Sequence, residues 1–119
     1  MPEKPTYDFI CFSDLVYEFD PSQKKVIEKK IRRRLKYHKL DVYDQDRVDY
    51  IRKLRNDLAT EIGLNSASRY YQKSSGKYAD RADFNIHQMV VDFCASFSRI
   101  NNDEMTDLIN FAIYIFYLR

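Results

Sequence analysis

At 119 residues, with 45% hydrophobic and 15% aromatic content, the chain is long enough to bury a core and too short for two ordinary domains, so one domain over 1–119 is expected. Two cysteines, Cys11 and Cys94, exclude a disulfide scaffold and point to a reducing compartment. The chain start has no signal-peptide pattern, and the longest apolar stretch, Leu108 to Leu118, is interrupted by Asn110 and is about half the ~20 residues a bilayer crossing needs. A soluble, cytoplasmic protein is the expectation.

Pro occurs at positions 2, 5 and 21 and Gly at 63 and 76, so nothing after Ser22 forbids a helix, and hairpins that draw on Gly for positive φ are disfavoured. The expected fold is all-α: a compact bundle of about five helices with an extended or partly helical N-terminal segment. In that segment Tyr7, Phe9 and Cys11 alternate with Asp8, Ile10 and Phe12, which suits extended chain, with a helical turn from Ser13. Its aromatic load predicts that residues 1–20 dock on the bundle or on a second chain. Pro21 after Asp20 marks a helix start, and that helix is expected to run to about Leu40 with Ile27, Ile31 and Leu35 as its apolar stripe.

Asp44 or Asp46 can cap a second helix in which Val48, Ile51, Leu54, Leu58 and Ile62 recur every three or four residues and Gly63 supplies the stop. A shorter helix is expected from Asn65 to about Lys73, before the polar break at Ser74, Ser75 and Gly76. Asp83 is expected to cap the next, with Ile86, Val90, Phe93, Phe97 and Ile100 on one face. Asn101 or Asn102 starts the last, with Asp103 and Glu104 where the helix dipole favours acids. Apolar residues cover most of that last helix, which predicts either the bundle centre or a homodimer interface.

The net charge of +2 conceals a strong separation. Lys24 to Lys39 contain nine bases and one acid, Glu28, a local charge of +8; the rest carries eleven bases and seventeen acids, −6. A helix this basic around so narrow an apolar stripe must face solvent over most of its girth. It could lie along a phosphate backbone, releasing counterions, or pair with acids of neighbouring helices. Lys29, Lys30, Arg32, Arg33, Arg34 and Lys36 are the candidate phosphate contacts.

The stretch Leu58, Ala59, Thr60, Glu61, Ile62, Gly63, Leu64, Asn65 resembles the first helix and turn of a helix-turn-helix, with small Ala59 four before the turn glycine and apolar residues on both sides. The resemblance implies a second helix in a DNA groove; with its register slipped by one so that Tyr70 fills the inward position, that helix presents Ser66, Ser68, Arg69, Gln72 and Lys73 to the groove, with Ser66, Arg69, Gln72 and Lys73 as base-edge candidates. Arg69 stands where that helix should send an apolar residue inward, unless the register slips to Tyr70. Tyr70, Tyr71 and Tyr78, interleaved with Arg69, Lys73, Lys77 and Arg81, could stack bases, anchor a protein partner or simply cover the core's edge.

Catalytic and metal patterns fail on inspection. His38 and His87 are far apart, Gly76-Lys77 lacks the remainder of a phosphate loop, and Asp41, Asp44, Asp46 and Asp49 lack the central glycine of a calcium loop. No enzyme activity, metal or cofactor is expected. Two functions remain: a small DNA-binding or regulatory protein for duplex DNA, or a helical protein-interaction module of the adaptor, inhibitor or immunity type.

Overall fold

Among the residues described by this computed structural model, 5–73 and 76–118, five α-helices follow one another: α1 (Tyr7–Leu15), α2 (Lys24–Tyr37), α3 (Gln45–Gly63), α4 (Ile86–Ser96) and α5 (Asn102–Ile113). The polar break expected at Ser74 and Ser75 lies outside them. Three short 3₁₀ turns, Pro21–Gln23, Asn65–Ala67 and Arg81–Asp83, connect the helices, and the sole β pairing among the described residues is an isolated bridge between Tyr71 and Phe84. The all-α reading holds. Contacts cluster into two compact units, Met1–Arg55 and Asn56–Arg119, with the division inside α3.

In the first unit the N-terminal segment is helical from Tyr7, earlier than the turn expected at Ser13. Thr6 caps it, its hydroxyl accepting from the Phe9 N–H at 3.1 Å. The residues that α1 buries are Asp8, Ile10, Cys11, Phe12, Asp14 and Leu15. Two of these are carboxylates, so the buried side does not read as apolar in the sequence. Arg47 takes up Asp8, and Arg34 and Lys30 take up Asp14.

Asp20 starts the next element as expected, its carboxylate accepting from the Ser22 N–H at 2.8 Å with Pro21 in the first turn. Helix α2 buries Ile27, Ile31 and Leu35 and ends at Tyr37, sooner than Leu40. The stop comes from Lys39, at φ 57°, and the Leu40 N–H reaches back to the Leu35 carbonyl at 3.0 Å. This is the left-handed helix ending that usually uses Gly.

Helix α3 follows its predicted course. Asp44 accepts from the N–H groups of Asp46 and Arg47 at 3.0 and 3.3 Å, and Val48, Ile51, Leu54, Leu58 and Ile62 are all fully buried. It ends at Gly63, but the residue with positive φ is Asn65 at 52°.

In the second unit α4 is capped by Asn85, not Asp83, which closes the preceding 3₁₀ turn instead. Met89, Val90, Phe97 and Ile100 are buried, while Ile86 and Phe93 are half-buried. Asn101 caps α5 by accepting from the Glu104 N–H at 2.8 Å. Met105, Leu108, Ile109, Ala112 and Ile113 are buried, each fully buried aliphatic side chain contributing about 1.5–3 kcal/mol. The chain then widens into a π-helical turn, Tyr114–Leu118. No helix among the described residues is long and apolar enough to cross a membrane.

Candidate nucleic-acid interface

Because α2 buries a stripe of three residues, its remaining side chains divide into flanks that pair with charged and polar groups of the first unit and an outer ridge whose cations have no carboxylate partner among the described residues. Arg34 belongs to a flank, donating to Asp14 at 2.6 Å and to the Ser13 hydroxyl at 3.0 Å. Lys30 lies 3.7 Å from the same carboxylate. On the other flank Glu28 accepts from Arg52 at 2.9 Å and from the Gln45 amide at 3.0 Å. Burial opposes ionisation of Glu28, but these hydrogen bonds and the Arg52 charge outweigh it and hold its carboxyl below the ordinary range.

The outer ridge carries Lys25, Lys29, Arg32, Arg33 and Lys36, all exposed. Among the described residues no carboxylate lies within salt-bridge distance of any of them, nor of Lys24. Lys25, Lys29 and Arg33 stand one turn apart, as do Lys29, Arg32 and Lys36 within a residue. From Lys25 to Lys36 the ridge is about 16 Å long. Exposed Val26 and Tyr37 mark its two ends.

At the C-terminal end of α2 the chain turns back at Lys39 and brings Tyr43 under Arg32, whose guanidinium lies 3.8 Å from the ring centroid. Two contacts fix this return: the Tyr7 hydroxyl donates to the Val42 carbonyl at 3.0 Å and accepts from the Asp44 N–H at 2.7 Å. Arg32, Leu35, Lys36, Leu40, Asp41, Val42 and Tyr43 line a half-open cavity of about 280 Å³ there. This feature escaped the sequence reading. Its one signal is a tyrosine soon after a basic helix, too common to single out.

Of the ten candidate residues, the six on α2 therefore separate. Lys29, Arg32, Arg33 and Lys36 lie on the ridge, while Lys30 and Arg34 serve the buried Asp14. The other four, in the second unit, do not form a recognition helix. The helix expected from Asn65 to Lys73 is replaced by the Asn65–Ala67 turn and irregular chain. The reason is competition for backbone partners: the Gln72 N–H donates to the Asp83 carbonyl at 2.6 Å, and the Asn85 N–H donates to the Tyr70 carbonyl at 2.8 Å. Segment 70–72 pairs with 83–85 instead of coiling. The helix-turn-helix expectation is corrected accordingly.

Ser66 is exposed in the 3₁₀ turn. Arg69 donates to the Tyr70 hydroxyl at 2.5 Å and lies 3.5 Å from Asp92. Gln72 reaches the Ala82 carbonyl with its side-chain amide at 3.4 Å, and Lys73 is exposed. The tyrosine cluster also divides. Tyr70 is buried, donating to Asp92 at 2.7 Å; Tyr71 is half-buried against Phe84; Tyr78 is exposed. Tyr117, set by the π-helical turn, donates to buried Asp83 at 2.6 Å, and that bond, with burial, pushes its phenol up to about 12.

No protein-family model matches the chain, and neither a curated protein nor a solved structure shows detectable similarity to it.

Proposed function

We propose that the protein binds nucleic acid through its phosphate backbone, using the outer ridge of α2 and without reading base sequence through a helix-turn-helix. The supporting observation is the division of charge on α2. Lys30 and Arg34 are taken up by Asp14, whereas Lys25, Lys29, Arg32, Arg33 and Lys36 face solvent with no carboxylate partner among the described residues. A ridge of about 16 Å runs beside roughly four or five phosphates of one strand at ~3.4 Å each. The loss of the second helix removes the base-reading part of the original expectation and leaves the electrostatic part.

The test is an anisotropy titration of labelled duplex DNA across salt concentrations, on wild type and on a Lys29→Glu, Arg33→Glu, Lys36→Glu variant. The expected slope of log affinity against log salt is about −0.9 per phosphate contact, with a shallower slope and far weaker binding in the variant. Absence of binding at low salt overturns the reading.

A second reading, a protein-interaction module, draws on the large apolar side chains exposed in the same unit. Phe19 is 73%, Val26 69%, Tyr37 80% and Val42 86% exposed. Flanked by bases, these residues suit an acidic partner with apolar patches. Capture of such a partner, lost in the triple variant and accompanied by no DNA binding, would favour this reading.

A further inference from the structure

We infer that the cavity at the C-terminal end of α2 receives an unpaired nucleobase, so that the phosphate ridge and the cavity together hold a single-stranded segment. This rests on the phosphate-binding reading above and adds to it a site of different chemistry.

A nucleobase has two flat apolar faces and a polar edge, and proteins that hold unpaired bases offer aromatic rings or guanidinium planes to the faces. The cavity supplies both kinds of surface. The Arg32 guanidinium lies over the Tyr43 ring, 3.8 Å from its centroid, and Arg32 as a whole is exposed. Leu35, buried to 2% exposure, and half-buried Leu40 give the cavity apolar lining. Val42, exposed to 86%, is an apolar side chain with no cover at the same place. Among the lining residues Asp41 offers an acceptor suited to an exocyclic amino group, and Lys36 a donor suited to a ring carbonyl.

Size and continuity favour a base over a larger ligand. At about 280 Å³ the cavity falls just below the range of pockets for drug-sized molecules, which begins at about 300 Å³. Arg32 and Lys36 belong both to the ridge and to the cavity lining, so a strand following the ridge arrives at the cavity mouth. The walls are set in advance. The Tyr43 hydroxyl donates to Gln45 at 3.0 Å, and the Tyr7 hydroxyl pins the main chain at Val42 and Asp44, so little ordering is left for the ligand to impose. A continuous duplex keeps its bases stacked inside and gains nothing from such a cavity.

The experiment compares a short labelled oligothymidylate with an abasic strand of equal phosphate count, at low salt, on wild type, Tyr43→Leu and Lys29→Glu/Arg33→Glu. Wild type is expected to bind the base-carrying strand about tenfold more tightly, the lower part of the range for one stacked base. Tyr43→Leu should abolish that preference, weakening the base-carrying strand more than the abasic one, and the ridge variant should weaken both strands alike. Equal wild-type affinity for the two strands overturns the base site while leaving the ridge standing. Failure of both strands to bind overturns the phosphate reading, and the base site with it. Displacement of the strand by equimolar thymidine monophosphate overturns the strand assignment, since a free nucleotide would then suffice. If Tyr43→Leu fails to fold, the two-strand comparison on wild type decides by itself.

Discussion

Arg34 donates to Asp14 across 2.6 Å, and that carboxylate is 1% exposed. Removing the guanidinium leaves an acid buried with Lys30, 3.7 Å away, as its remaining ion-pair partner. Arg34→Ala is therefore expected to lose about 2–3 kcal/mol, below the 3–5 kcal/mol of a wholly buried pair because Arg34 itself is partly exposed. Urea denaturation checks it, and adding Asp14→Ala should recover part of the loss. A change below about 0.5 kcal/mol would return Arg34 to the ridge as a surface cation.

Arg52 gathers Glu18, Glu28 and Asp49 around one guanidinium. With its folded-state carboxyl held below the usual value of 4.5, Glu28 contributes stability that is fully present above that value and is lost as pH falls through the lower one. Asp92, held down by the Tyr70 hydroxyl and the Gln88 amide, works in the same direction. Melting temperature is expected to be level near neutrality and to drop as pH falls below about 4.5. Glu28→Gln should flatten part of that drop, and a melting temperature rising on acidification would contradict the assignment.

The two thiols should differ in reactivity. Burial pushes the fully buried Cys11 thiol up to about 12, with Asp8 and Asp14 adding to the effect, whereas Cys94 is half-exposed. At pH 8 an aromatic disulfide reagent is expected to label Cys94 in the native protein and Cys11 at the rate of unfolding. Rapid labelling of both would be incompatible with the packing of α1.

Lys39 occupies the left-handed region at φ 57°, where a side chain is strained and Gly is not. Lys39→Gly is expected to stabilise the chain by about 0.5–1 kcal/mol, read as a higher denaturation midpoint at unchanged slope. A lower midpoint would mean that the lysine side chain contributes contacts worth more than the strain.

What the sequence made legible depended on how residues spend their buried positions. Helix α3 was fully readable because Val48, Ile51, Leu54, Leu58 and Ile62 are apolar and buried without exception. Helix α1 was obscured because Asp8 and Asp14 take two of its buried positions, and their arginine partners lie 39 and 20 residues away. The missing helix after Gly63 was a matter of competition. Nothing local forbids coiling over 65–73, but the Tyr71–Phe84 bridge is a pairing between distant residues that local pattern does not encode. The basic ridge was visible as composition. Which of its members are free for a ligand was not, since that depends on where Asp14 lies.

The ridge also sets a condition on the helix that carries it. Lys25, Lys29 and Arg33 repel one another from turn to turn, each such pair weakening an isolated helix by about 0.2–0.5 kcal/mol, and Gln23 gives α2 no side-chain cap. The helix persists because Ile27, Ile31 and Leu35 are buried, so a peptide cut from 24–37 should be largely unwound in water. Any polyanion that neutralises the ridge relieves this mutual repulsion in the folded chain alone. Binding of such a polyanion would thus raise thermal resistance, and raising the salt concentration should screen the repulsion while weakening that binding.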